Sequence, residues 1–184
     1  MNNEKYKENI EKIIKDNKLD QRVSKIIYRL YDYIHNNNWW GACHACSSVL
    51  LVSLSELGLK PTLCVGVAKK GNIYFDHSWI TLNGKIIDLA ICMTMNCGKA
   101  ASEPIVMNIN LENGKINEDV EYGVGQFDLD FETIVYIKTP FVLYMDSYPM
   151  CKNGLWDIVN YVLGKESAPD KYRKKYKHVK KRIF

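Results

Sequence analysis

Apolar residues recur at helical spacing near the start of the chain, first at Tyr6, Ile10, Ile13 and Ile14, then at Val23, Ile26, Ile27, Leu30, Tyr31 and Ile34. This period predicts two amphipathic helices separated near residues 17–20. At Val49 the pattern changes. Val49, Leu50, Leu51, Val52, Leu54 and Leu57 crowd too closely for one stripe, which predicts a helix buried nearly all round. Gly58 fits just past its C-terminus, with Pro61 beyond, and its N-terminus falls near Cys43, after Gly41. Strands follow at 62–68, 73–82 and 85–92, with a turn at 69–72. Residues 93–104 read as loop. Further strands are expected at 106–110, 114–116 and 133–138, joined by an acidic, Gly-containing segment at 118–130, and a short helix at 155–163.

Helices followed by an antiparallel meander make α+β the expected class, with the cysteine-bearing central helix packed on an antiparallel sheet. The whole chain, 1–184, reads as a single domain. Residues 1–38 supply N-terminal helices, 39–92 a catalytic core, 93–164 the remaining sheet and helix, and 165–184 a basic tail. A length of 184 residues, 47% hydrophobic, allows one sizeable core and is short for two.

Net charge is +4, but the tail holds nine Lys or Arg against two acids, so the body before it is faintly acidic. That argues against a strongly nucleic-acid-binding body. The tail itself reads as a solvated basic helix or frayed end, or as a tether to an acidic partner. The N-terminal stretch is polar and charged, unlike a secretory leader, and no apolar run approaches the length of a membrane span. Six cysteines in such a chain read as free thiols in a reducing, cytoplasmic setting, with Cys64 a small hydrophobe.

The chemistry concentrates in residues 39–90. A thiol at the start of a helix feels the positive end of the dipole and unpaired N–H groups, which favour the thiolate and could hold an oxyanion. Asn83-Gly84 between apolar runs predicts a two-residue type I′ hairpin. Its register sets Leu82 opposite Lys85, Ile80 opposite Ile87, Trp79 opposite Asp88 and His77 opposite Ala90, so His77, Trp79, Asp88 and Ala90 share a face. Asp88 then lies within side-chain reach of His77 as its diagonal neighbour. Cys43, His77 and Asp88 are therefore the candidate nucleophile, base and orienting acid. His44 is an alternative base for Cys43, but adjacent helical residues point apart, which favours His77.

Gly41-Ala42-Cys43, a long helix, Leu57-Gly58-Leu59, then His77-Ser78-Trp79 and Ile87-Asp88 resemble the transglutaminase-like branch of the papain-like cysteine enzymes. That branch shows G-x-C, a helix, G-[IL], a strand, H-x-W, a strand and D. The resemblance covers about 50 of the 184 residues, with Leu89 where the family often has Pro. It implies a papain-like, transglutaminase-like core, no metal or organic cofactor, and cysteine-dependent acyl chemistry on a peptide or protein amide through a thioester on Cys43, either hydrolysis as a peptidase or amidase, the simpler default, or transfer to an amine. It reaches arylamine N-acetyltransferases and lasso-peptide leader peptidases without singling out either.

Two tryptophans precede the cysteine. Trp39 and Trp40 pack where the loop meets the buried helix, or an indole N–H from one of them lines the oxyanion or substrate pocket. Rival readings of the site are a zinc-stabilised interaction module built on Cys43, Cys46, Cys92 and Cys97 with His44 and His77 nearby, and a non-catalytic peptide-binding member of the same fold.

Overall fold

The computed structural model describes residues 3–94, 100–125 and 128–184. The two amphipathic periods form α1 (Asn3–Asp16) and α2 (Arg22–Asn36), and every apolar residue named for them is buried. The third helix, α3 (Cys43–Glu56), buries ten consecutive residues, Ala45 to Leu54. It lies between α2 and α6 (Leu155–Leu163) on one side and the sheet on the other. Its all-round apolar sequence follows from having no solvent face in the middle.

The sheet is built on β1 (Thr62–Lys70), β2 (Ile73–Leu82) and β3 (Lys85–Asp88). It continues from β3 through β4 (Ile105–Val106) to β5 (Ile109–Asn110), all antiparallel. The outer edge of β1 is shared. Antiparallel β6 (Glu121–Tyr122) takes Ala68 and Lys69, and parallel β7 (Arg182–Ile183) takes Cys64 and Val65. The molecule is thus α+β, helices packed against a largely antiparallel sheet.

Asn83 and Gly84 both have positive φ, 52° and 75°, as a type I′ loop requires, and the expected pairs Leu82–Lys85 and Ile80–Ile87 are present. The third strand is shorter than its apolar run implies. It ends at Asp88, and Ala90–Met93 forms a 3-10 turn, because the Asp88 carboxylate accepts the N–H groups of Ala90 and Ile91. The ladder ends at Ile80–Ile87, so the expected pairings of Trp79 with Asp88 and of His77 with Ala90 do not form.

Three other expectations are corrected. Residues 106–110 are two strands, with a turn at Met107 and Asn108, both at positive φ. Of 114–116, only Ile116 bridges to Ile109. Residues 133–138 belong to a helix, α4 (Phe131–Lys138), because Asp130 caps it by accepting the Thr133 N–H at 2.6 Å. That cap overrides the strand preference of Thr133, Ile134, Val135 and Tyr136.

The basic tail is not a frayed end: it holds a helix whose lysines are mostly exposed to solvent, while its tyrosines are packed. Helix α7 (Pro169–Tyr176) buries Tyr172 and Tyr176; it reaches α6 and the short α5 (Phe141–Asp146). Lys165 and Lys175 pair with Glu56 at 3.0 and 2.7 Å, and Arg173 with Asp146 at 2.9 Å. Part of the tail's charge is therefore met by acids of its own chain. Among the described residues no helix is long and apolar enough to cross a membrane.

Candidate active site

Cys43 is the first residue of α3 and is half-buried. Gly41 at φ 68° lets the chain turn into the helix while its N–H is held by the Met93 carbonyl at 2.8 Å. Ala42 provides no side-chain cap, so no side chain competes for the first-turn N–H groups around the sulfur.

His77 lies in the middle of β2 and is 1% exposed. Its Nε2 donates to Asp88 Oδ2 at 2.7 Å, which leaves Nδ1 for the sulfur. Four donors converge on Asp88. Oδ2 also accepts the Tyr122 hydroxyl at 2.8 Å, and Oδ1 accepts the N–H groups of Ala90 and Ile91, each at 3.1 Å. Burial and the neighbouring Asp88 push the Tyr122 phenol well above its ordinary range, so it stays a donor. The carboxylate is thereby fixed in orientation and fixes the imidazole in turn.

Burial alone would raise the Cys43 thiol. The charge on His77, and then the hydrogen bond to His44, outweigh it and hold the thiol down at about 5. Burial would likewise lower His77, but Asp88 and then the Cys43 thiolate hold it up at about 10. Both shifts describe one state, a thiolate beside an imidazolium. The other described cysteines move the opposite way. Burial raises Cys46, Cys64 and Cys151, and pushes Cys92 to about 12.

The sulfur opens on a cleft of about 390 Å³, whose walls include His44, His77, Met93 and Thr133. Four carboxylates, Asp76, Asp128, Asp130 and Glu132, line the same cleft. Cys43, His77 and Asp88 thus lie together as the spacing predicts. Trp39 instead packs against Tyr33 and Tyr148, with ring centroids 5.3 and 5.8 Å away, and Trp40 is 43% exposed. Neither is among the residues lining the cleft.

His44 departs from expectation. Its Nδ1 is 3.7 Å from Cys43 Sγ, so adjacency on the helix does not keep the two side chains apart. Of the expected zinc ligands, Cys46 is buried in α3, Cys92 donates to the Leu89 carbonyl at 3.3 Å, and Cys97 lies outside the described residues. Among the described residues no group of three or more His, Cys, Asp or Glu is placed to hold a metal ion.

Sequence reading missed Tyr122, Ser78 and Thr133. Thr133 had one legible signal, the Asp130 cap three residues before it. Fold and site define a class: an α+β chain carrying a cysteine and a histidine at one cleft, with a buried aspartate behind the histidine. No family model, no curated protein and no solved structure matches this chain.

Proposed function

We propose that this protein is a papain-like, transglutaminase-like enzyme that transfers acyl groups through a thioester on Cys43. The observation that carries this reading is a thiol at a helix start, the one held down among the described cysteines, beside an imidazole whose far nitrogen is locked by Asp88. Resting as thiolate and imidazolium, Cys43 attacks an amide carbonyl and forms the C–S bond. First-turn N–H groups of α3 face the developing oxyanion. His77 then gives its proton to the departing amine as the C–N bond breaks. A water or amine resolves the thioester, its proton passing to His77 and the electron pair of the C–S bond returning to sulfur. Trp39 and Trp40 take no part in the cleft as it stands, and Trp40→Phe is expected to leave acyl-enzyme formation unchanged.

The test is p-nitrophenyl acetate in excess over the protein, followed through the pre-steady state. The protein is expected to release p-nitrophenolate in a burst and to carry one acetyl group on Cys43 by mass spectrometry. A Cys43→Ala variant should show neither. Acetylation spread equally over the exposed lysines, with none on Cys43, would sink the reading.

The four carboxylates around the cleft favour cationic over anionic substrates. Iodoacetate is therefore expected to label Cys43 more slowly than neutral iodoacetamide, beyond their intrinsic difference on free cysteine. The Asp128→Asn, Glu132→Gln variant should narrow that gap several-fold at low salt, and added salt should narrow it in the parent. An unchanged ratio in both would show that the rim does not act on incoming charge.

A further inference from the structure

A second imidazole flanks the sulfur, and the mechanism above leaves it unused. His44 Nδ1 lies 3.7 Å from Cys43 Sγ and 2.7 Å from Ser78 Oγ, while Nε2 lies 3.2 Å from Thr133 Oγ1. The ring stacks on Tyr136 with centroids 4.2 Å apart and planes 9° from parallel. The Tyr136 hydroxyl is itself bonded to Ser48 at 2.9 Å.

The partners of His44 are anchored too. Asp76 on β2 accepts the Asp130 N–H at 2.6 Å, and Asp130 accepts the Thr133 N–H at 2.6 Å, which ties the start of α4 to the sheet. Lys181 donates to the carbonyls of Tyr136 and Thr139 and lies over the Tyr136 ring, tying the end of α4 to the tail. Helix α3, strand β2, helix α4 and the C-terminal segment all converge on one ring. A histidine needed only as filler requires no such definition of both nitrogens.

We propose that His44 is a positioning residue for the nucleophile, its Nδ1–H hydrogen-bonding to the Cys43 thiolate and holding the sulfur against His77. The inference rests on the acyl-transfer reading and assigns His44 no proton transfer. Nδ1–H is shared between Ser78 Oγ and Sγ, and Nε2 accepts from the Thr133 hydroxyl. The bond to sulfur is strong when sulfur is anionic and weak when it is acylated. It therefore favours the resting thiolate and the expulsion of that thiolate when the thioester is resolved. The titratable groups facing the sulfur are His77 from β2 with Asp88 behind it, Cys46 and His44 from α3, and the phenols of Tyr136 and Tyr144 from α4 and α5. Asp76 faces His44 from β2 through Thr133.

Asn and Gln separate the two ends of the ring. The amide of Asn reaches the place of Nδ1, and that of Gln the place of Nε2. In the full chain, His44→Gln is expected to raise the pH midpoint of iodoacetamide labelling by about one unit and to slow steady-state p-nitrophenyl acetate turnover about tenfold, the effect of one charge-assisted hydrogen bond. His44→Asn should keep most of both. Equal midpoints in parent, Gln and Asn proteins, or equal shifts in the two variants, would overturn the assignment. If either His44 variant fails to fold, Thr133→Val frees Nε2 from outside α3, where a shift in the same direction supports the proposal and none overturns it. A parent midpoint already at that of free cysteine would sink the nucleophile reading itself, and this inference with it.

Discussion

Replacing His77 with Ala is expected to move the labelling midpoint of Cys43 from near pH 5 toward the range of an ordinary cysteine, and to cut acyl-enzyme formation by about 10²–10⁴-fold, the usual contribution of a positioned acid–base group. Burial opposes the thiolate, so once the imidazolium is gone little but the His44 hydrogen bond and the helix start holds the thiol down. The two readouts differ in size for a physical reason. At pH 6 the thiolate fraction would fall by at most roughly 300-fold, the limit for a midpoint moving all the way from about 5 to about 8.5. A more basic thiolate is also intrinsically more nucleophilic, by roughly 40-fold over that span, so labelling falls only about tenfold. Acyl transfer from an amide additionally loses the proton His77 gives to the leaving amine. With His44 in place the single variant stops short of the free-cysteine midpoint, and adding His44→Gln to His77→Ala should complete the shift. Labelling of His77→Ala identical to the parent across pH would refute the ion pair, whatever became of activity.

The site was legible where its geometry is local. Asn83-Gly84 determines a register within a few residues, and that register alone brings His77 and Asp88 to one side. The burial of α3 and the position of Cys43 at its start follow from the apolar run and from Gly41 and Gly58. What was hidden depends on partners distant in sequence. Tyr122 reaches Asp88 because β6 pairs with the edge of β1, and nothing in the residues around Tyr122 announces that pairing. Residues 133–138 were misread because β-branched and aromatic side chains favour a strand, while one aspartate at 130 sets the helix. The helix-wheel argument for His44 failed at a helix start. There the imidazole lies back toward the sulfur, held by Ser78, Thr133 and Tyr136 from other elements. Most of the tail's basic residues are solvated, as their composition suggests, but the docking of the tail was hidden because the sequence did not reveal that Glu56, Asp146 and the edge of β1 would face it.

Asp88→Ala is expected to cost about 3–5 kcal/mol of folding stability, because it strands a buried charge rather than deleting an exposed one. His77 and Asp88 are each 1% exposed, so the imidazole left behind has lost the acceptor of its Nε2–H with no water to replace it, and only the Cys43 thiolate still favours its charge. The Tyr122 hydroxyl and the N–H groups of Ala90 and Ile91 lose their acceptor as well. Asp88→Asn should cost less, since its carbonyl can still take the two backbone N–H groups while its amide confronts the donors on His77 and Tyr122. Urea unfolding against pH gives the sharper test. In the parent, His77 is held near 10 against an ordinary 6.5, so its contribution is complete below pH 6.5 and is lost as pH rises through about 10. Cys43 is held near 5 against an ordinary 9.0, so its contribution is complete above pH 9 and is lost as pH falls through about 5. Between 6.5 and 9 the two slopes cancel, leaving a plateau with an acid fall on one side and an alkaline fall on the other. Without Asp88 the imidazole has lost the largest influence holding it charged, so the alkaline fall should vanish while total stability drops. A loss under about 1 kcal/mol, the range of a surface pair, with the alkaline fall intact, would mean that Asp88 does not anchor His77 in the folded protein.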